Sequence, residues 1–185
     1  MQAWATFELG WARIHQGEVE EGISQIRQGL AGWRSMGVGY GLPMFLAQLA
    51  NGYEMVRQPE KGLGVLEEGL DLVEKTGERF YEAEVHREKG YLLQLSGRPF
   101  EAEACFRQAI EVARRQEAKS WELRATLSLS RLLHEQGRSE EARQLLSEIY
   151  NWFTEGFDTP DLKEAKALLE EFRKEGGKEG RGVLG

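Results

Sequence analysis

The feature that most constrains this sequence is a set of small residues that recurs every 40 positions. Four units keep this register without an insertion, so one supersecondary unit is repeated along the chain. A single unit of this kind cannot cover its own apolar face, and stacking of neighbouring units buries that face. The pattern therefore predicts a stack of four units. The columns are Gly10, Ala50, Gly90 and Ser130; Gly22, Gly62, Ala102 and Ala142; and the bulkier Ile26, Leu66, Phe106 and Leu146.

Each unit is predicted to consist of two helices joined by a tight turn. In the third unit, the pattern predicts a first helix over residues 83–96 and a second over residues 99–116. Pro99 suits the start of the second helix, because the missing N–H of proline has no helical partner there. Small residues let two helices approach closely wherever the facing helix presents a bulky side chain. These periodicities indicate an all-α fold.

The order of residue types within a unit resembles the tetratricopeptide repeat. The third unit shows it best, with small, turn, small, aromatic and small residues at Gly90, Gly97, Ala102, Phe106 and Ala109. The usual unit of that family has about 34 residues, whereas the additional residues here lengthen the second helix. The resemblance implies an all-α, right-handed superhelical solenoid of about four helix-turn-helix repeats with a C-terminal capping helix.

The register divides the chain into expected segments. The four repeats cover residues 1–155, at about 1–38, 39–78, 79–118 and 119–155. The run Asp158-Thr159-Pro160-Asp161 is typical of a helix start and is expected to open the capping helix over residues 158–174. Residues 175–185 are rich in glycine and charge and are expected to form a flexible tail.

Three stretches are similar to the C-terminal repeats of large bacterial signalling proteins. They are residues 76–90, 101–115 and 150–159. In those proteins a helical repeat tail accompanies a STAND-type ATPase and a cyclase or regulatory domain. The resemblance implies a sensor or partner-docking segment cut from, or related to, a longer protein.

In the tetratricopeptide family the first helices line a concave groove, so the resemblance implies which side chains meet a partner. One end of this groove is aromatic and apolar, and the other end carries three arginines and a tyrosine. Such residues are enriched at contact hot spots, and arginine can hold a partner carboxylate through two N–H groups. The competing interpretation is that Glu84, Glu88 and Glu122 neutralise the arginines. The inward positions are Trp4, Phe7, Trp11, Met44, Ala47, Asn51, Glu84, Arg87, Tyr91, Arg124, Leu127 and Arg131.

The first helix is unusually aromatic and is expected to begin almost at Met1. Trp4, Phe7, Leu9 and Trp11 fall within eight residues. Two interpretations stay open for this helix. Trp4 and Trp11 lie seven residues apart on one helical face and could belong to the core, or that face could pack against a further repeat or a second chain.

Nothing in the sequence predicts catalysis, a metal site or a cofactor. His15, His86 and His134 lack zinc-ligand spacing, and Cys105 is expected to be a small buried core residue. Adjacent glutamates point about 100° apart on a helix, which is typical of a solvated face rather than of an acid/base pair. No phosphate-loop, nucleophile-elbow or zinc-protease motif occurs.

Charge and hydropathy narrow the class of partner. The formal net charge is −7, from 24 Lys and Arg against 31 Asp and Glu, which argues against a nucleic-acid binder. No stretch approaches about eighteen consecutive apolar residues, so no membrane span is predicted. The single cysteine and the lack of a signal-peptide pattern after Met1 favour the cytoplasm.

The sequence therefore favours a scaffold that binds a protein or peptide in the groove, as a regulatory or sensor segment of a bacterial signalling protein. Two alternatives stay open. One is self-association into a homo-oligomer through the aromatic N-terminal helix, and the other is the sensing of a small effector. We expect no enzyme activity, no cofactor, and no nucleic-acid or membrane partner.

Overall fold

The computed structural model describes residues 2–37 and 39–179. Nine α-helices occupy these residues, and no strand occurs among them. Residues 180–185, which include most of the predicted tail, lie outside the described residues. The helices are α1 Gln2–His15, α2 Val19–Ser35, α3 Leu42–Met55, α4 Pro59–Thr76, α5 Glu82–Leu95, α6 Pro99–Arg115, α7 Lys119–Glu135, α8 Ser139–Tyr150 and α9 Pro160–Glu179.

The helices pack as sequential pairs, which confirms the predicted all-α class. The described residues form two compact units, one that ends at Cys105 and one that begins at Phe106. In the first unit α1 packs on α2 and α3 on α4, while α3 also contacts α5. In the second unit α7 packs on α8, and α9 contacts both.

The small residues of the repeat bring the two helices of a pair into close contact. A Cβ added to Gly10 would lie 2.8 Å from the carbonyl oxygen of Gly22, and one added to Gly22 would lie 2.6 Å from the carbonyl oxygen of Gly10. In the second unit the equivalent pair is Ser130 and Ala142, where the serine hydroxyl donates to the Ala142 carbonyl oxygen at 3.2 Å. The same helix approach therefore recurs in both units, as the sequence register predicts.

The bulky column fills the space that the small residues leave. Ile26, Leu66, Phe106 and Leu146 are all fully buried, as expected. Cys105 is only half-buried, which corrects the expectation that it belongs to the core. Burial raises the pKa of its thiol.

The turns between paired helices require a left-handed backbone, and three of them use glycine. Gly17, Gly97 and Gly137 have φ values of 89°, 73° and 78°. Arg57 stands at the equivalent place in the second pair and adopts a φ of 55° without a glycine. Left-handed backbone costs an L residue about 1–2 kcal/mol, so this turn is held by the packing around it.

The last helix pair departs from the repeat. The second helices α2 and α6 each have 17 residues, whereas α8 has only 12. The connection that follows α8 spans residues 151–159, against only 77–81 after α4 and 116–118 after α6. At its end the Thr159 hydroxyl donates to the Gly156 carbonyl oxygen at 2.7 Å, and α9 begins at Pro160. Leu162, Ala165, Leu168, Leu169 and Phe172 are buried and form the packed stripe of α9.

Candidate binding surfaces

The predicted groove residues of α3 and α5 form a partly exposed polar face in the first unit. Met44, Asn51 and Arg87 are partly buried, and Tyr91 is 37% exposed. Ala47 and Glu84 are buried at 3% and 4% exposure. The two helices alternate these groups with core residues, so the face is supported from beneath by packed side chains.

Arg87 is the centre of an ion-pair network on this face. Its Nη2 donates to Glu84 Oε2 at 3.0 Å and its Nε to the same oxygen at 3.1 Å, while Nη2 also pairs with Glu88. Burial alone would lower the pKa of the guanidinium, but the carboxylates of Glu88 and Glu84 outweigh it and raise the pKa above its ordinary value. Glu84 and Glu88 therefore neutralise Arg87, as the competing interpretation of the sequence expects.

Two carboxyl groups on this face are poorly satisfied. Burial, reinforced by the charge of Glu88, raises the pKa of Glu54 to about 7. The side chain of Glu84 is 5% exposed, and its Oε1 has no hydrogen-bond partner among the described residues. Perturbed acids and orphaned buried acceptors are enriched at functional sites, where a bound partner can satisfy them.

The N-terminal aromatic residues divide between core and surface. Phe7 is 1% exposed and packs against Phe45 with ring centroids 4.0 Å apart, so it belongs to the core rather than to an open groove. Trp4 is 44% exposed and lies 5.4 Å from Phe45 and 5.9 Å from Trp33 between ring centroids. Trp11 is 40% exposed and contacts His15. The two tryptophans are thus half-buried. Each has one part packed against the protein, as a core residue would, and one part exposed, as an interface residue would.

In the second unit, α9 supplies carboxylates to the two predicted groove arginines. Arg124 Nε donates to Asp161 Oδ2 at 2.8 Å, and Arg131 pairs with Glu164. Glu122, which the sequence offered as a neutralising partner, instead binds Arg114 and Lys119. The other predicted inward position of this unit, Leu127, is 3% exposed and belongs to the core.

A cavity of about 590 Å³ lies where α7, the connection at residues 151–159 and α9 meet. Leu123 and Leu162 line its apolar side with the rings of Trp152 and Phe153. Ser120, Glu155 and Asp161 are among its polar lining groups. Its volume falls in the range of small-molecule sites.

The described residues offer neither a metal site nor a membrane span. No cluster of metal-ligating side chains is present in the described part of the chain. No helix among residues 2–37 and 39–179 is both long and apolar enough to cross a bilayer.

A model of the tetratricopeptide repeat family matches residues 81–154. These residues therefore form a tetratricopeptide repeat region. The chain is 30% identical over 124 residues to an uncharacterized protein of Rhizobium meliloti (strain 1021). That match spans 66% of this chain and 12% of the relative, so the chain spans a small part of the length of that curated protein.

Solved tetratricopeptide structures have the same fold at low sequence identity. The TPR-like repeats of a kinesin-light-chain-like protein from Podosopora anserina match with a TM-score of 0.76 at 18% identity, over 97% of this chain and 89% of that one. A STAND protein of Pyrococcus horikoshii with a tetratricopeptide repeat sensor matches with a TM-score of 0.74 at 14% identity, over 98% and 30% of the two chains. A Rap protein complexed with Competence and Sporulation Factor matches with a TM-score of 0.73 at 19% identity, over 93% and 46%.

Sequence reasoning missed two features of the candidate surfaces. Glu54 was not among the predicted groove residues, although it follows Asn51 by three residues on the same helix. The cavity beside Trp152 could not be seen from the repeat pattern, because it forms where the pattern ends.

Proposed function

We propose that this chain is a binding module that takes a protein or peptide partner on the surface of its first helices. The observation that carries the proposal is the coincidence, on the α3–α5 face, of a raised carboxyl pKa at Glu54 and a buried, unpartnered acceptor at Glu84. Groups that are poorly satisfied in the folded protein are candidates for satisfaction by a partner. Natural folds keep such groups at functional sites more often than elsewhere.

The α3–α5 face has the residue composition and the fixed side-chain positions that a binding surface needs. Arg87 is fixed by two glutamates, so its position is set before a partner arrives and little side-chain entropy is lost on binding. Tyr91 offers a partly exposed ring beside it. An aromatic ring next to fixed charges is typical of contact hot spots.

The similar proteins support a regulatory setting for this module. The Pyrococcus horikoshii protein is described as a signal-transduction ATPase whose tetratricopeptide repeats are a sensor, and the Rap protein was solved with Competence and Sporulation Factor. We infer that this chain acts as a regulatory or sensor segment of a bacterial signalling protein. No catalytic role is part of the proposal.

The test is a selection of random nonapeptides displayed on phage against the immobilised full chain. Selected peptides are then measured by calorimetry against wild type, Tyr91→Ala on α5, and Phe100→Ala on α6. Both aromatic residues are exposed, Tyr91 at 37% and Phe100 at 84%, but only Tyr91 lies on a first helix. We expect Tyr91→Ala to weaken binding about tenfold, the loss of a modest hot spot, and Phe100→Ala to leave the affinity unchanged. Failure to select any peptide, or equal losses for the two variants, would contradict the proposal.

A second candidate function is self-association through α1, which the exposure of Leu9 at 50% and Trp11 at 40% favours. Sedimentation velocity of wild type and of Leu9→Glu/Trp11→Glu distinguishes it. A dimer that the double substitution dissociates supports it, and a wild-type monomer at high concentration excludes it.

A further inference from the structure

We propose that the cavity between α7, the 151–159 connection and α9 is a binding site for a small ligand with an apolar, preferably aromatic, body and a single positively charged amine. The site is separate from the α3–α5 face and does not depend on the function proposed for that face. Nothing in the repeat pattern requires it.

The cavity exists because the repeat is interrupted there. After Tyr150 the chain leaves the helix through two tight turns, in which Trp152 N–H donates to Ile149 O and Phe153 N–H donates to Tyr150 O, each at 3.2 Å. Gly156 then adopts a φ of 75°, which lets the chain turn back towards α9. The truncated α8 therefore leaves space at the start of α7 that the connection surrounds without filling.

The walls of the cavity select an apolar body. Leu123 and Leu162 are buried at 1% and 3% exposure, so they form a fixed floor. Trp152 is 57% exposed and meets Phe153 edge to face, with ring centroids 5.2 Å apart. Aromatic walls favour a ligand ring in offset or edge contact. The cavity volume of about 590 Å³ is large enough for a small aromatic ligand.

The charges around the cavity select a cation. Asp161 is held by Arg124 at 2.8 Å, and Lys119 is held by Glu122 at 2.7 Å. Glu155 lines the same cavity, and within the described residues its carboxylate makes no ion pair. An incoming ammonium group would therefore meet one carboxylate whose charge is not already balanced, and a charge-assisted hydrogen bond to it is among the stronger polar contacts.

The ring of Trp152 already contacts a cation. Lys119 Nζ lies 5.6 Å from its centroid, within the usual range of a cation–π contact. The cavity therefore offers an amine two complementary groups, a carboxylate and an electron-rich ring. An anionic ligand would be repelled by Glu155. It would not be compensated by Lys119 or Arg124, because both cations already pair with acidic side chains.

The test uses three probes that share one body: phenethylamine, 2-phenylethanol and phenylacetate. Each is titrated into the ¹⁵N-labelled full chain, and the amide resonances of residues 152–156 are followed by NMR. We expect saturable shifts at these residues, with phenethylamine binding about three- to tenfold tighter than the alcohol and phenylacetate not binding. Saturation by none of the probes, shifts confined to other residues, or phenylacetate binding at least as well as the amine would overturn the proposal.

Three variants separate the site from non-specific effects. Glu155→Gln should reduce the affinity for phenethylamine to that for the alcohol, and Ser120→Phe should block all binding by placing a ring in the cavity. Glu170→Gln, an exposed carboxylate of α9 outside the cavity, is the matched control and should change nothing. Equal effects of Glu155→Gln and Glu170→Gln would remove Glu155 from the site and overturn the charge selection.

The same chemistry can come from a free amine or from the N-terminal aromatic residue of a peptide. The tripeptide Phe-Gly-Gly amide and its N-acetylated form distinguish the two sources. Tighter binding of the free peptide than of phenethylamine points to a peptide terminus, and weaker binding points to a small amine. Equal binding of the acetylated and free peptides would contradict the need for a charged amine.

Discussion

Gly10 and Gly22 face each other across the first helix pair, and neither has room for a methyl group. A Cβ on Gly22 would lie 2.5 Å from Ile14 Cγ1 as well as 2.6 Å from the Gly10 carbonyl oxygen. Backbone atoms cannot move aside as a flexible side chain can, so the helices would have to separate. Small residues therefore recur at these positions because the paired helices are too close together for larger side chains.

We predict that Gly22→Ala destabilises the protein by about 1–3 kcal/mol, the usual cost of an overpacked interior. Gly64→Ala is the control, because Gly64 lies in α4 and none of the described residues comes within 4 Å of its added Cβ. That substitution should stabilise the helix by about 0.5–1 kcal/mol. Urea unfolding followed by far-ultraviolet circular dichroism measures both, and equal effects of the two substitutions would contradict the packing account.

The sequence was sufficient to predict most of the fold because the repeat is enforced by this packing. The predicted second helix over residues 99–116 agrees with α6 Pro99–Arg115, and the predicted first helix over 83–96 agrees with α5 to within one residue at each end. Prolines and turn glycines set these limits through local backbone chemistry, which can be read without a structure.

The candidate surfaces were less predictable because they depend on neighbours that are distant in sequence. Phe7 was expected to face the groove and is instead buried against Phe45, 38 residues later. Arg124 was expected to bind a carboxylate of a partner protein, but in the structure it pairs with Asp161 of α9. A helical period places a residue on a face, but only the tertiary contacts decide what covers that face.

We predict that Glu54→Gln stabilises the protein at neutral and higher pH. The pKa of Glu54 is about 7 in the folded protein and 4.5 as its ordinary value, so the folded state holds this proton more tightly than the unfolded state. Stability is therefore lost as the pH rises from about 4.5 to 7, because Glu88 and burial oppose ionisation more than Arg87 and Asn51 favour it.

The Glu54→Gln variant should not lose stability over this pH range. Its free energy of unfolding should exceed that of wild type by about 1–2 kcal/mol at pH 8, a value discounted because Glu54 is partly exposed. Asp71→Asn, which removes an exposed carboxylate from α4, is the control and should follow the wild-type pH profile. Thermal unfolding between pH 4 and 8 tests this, and parallel profiles for wild type and Glu54→Gln would show that Glu54 ionises normally.

We predict that Trp4→Ala lowers stability much more than Trp11→Ala, although both side chains are about equally exposed. Trp4 contacts the rings of Phe7, Trp33 and Phe45, so its removal should cost about 1.5–3 kcal/mol. Among the described residues, the aromatic-ring contact of Trp11 is with His15 alone, so Trp11→Ala should cost less than about 1 kcal/mol. Equal losses in urea unfolding would indicate that α1 is not anchored through the Trp4 cluster.

We predict that the ion pair of Arg124 with Asp161 contributes little to stability. Their side chains are 46% and 31% exposed, and pairs of this kind typically contribute about 0–1 kcal/mol. A double-mutant cycle with Arg124→Gln and Asp161→Asn measures the coupling directly. A coupling above about 2 kcal/mol would mean that charge, rather than the buried stripe from Leu162 to Phe172, holds α9 in place.

The most direct test of the account is to locate a bound partner on the protein itself. A peptide selected on the full chain is titrated into the ¹⁵N-labelled protein, and the perturbed amides are mapped by NMR. If the peptide binds to the first helices, the largest changes in amide chemical shift should fall in α3 and α5, around Asn51, Glu54 and Tyr91. Perturbations concentrated instead in the second helices α2 and α4, with α3 and α5 unchanged, would contradict it.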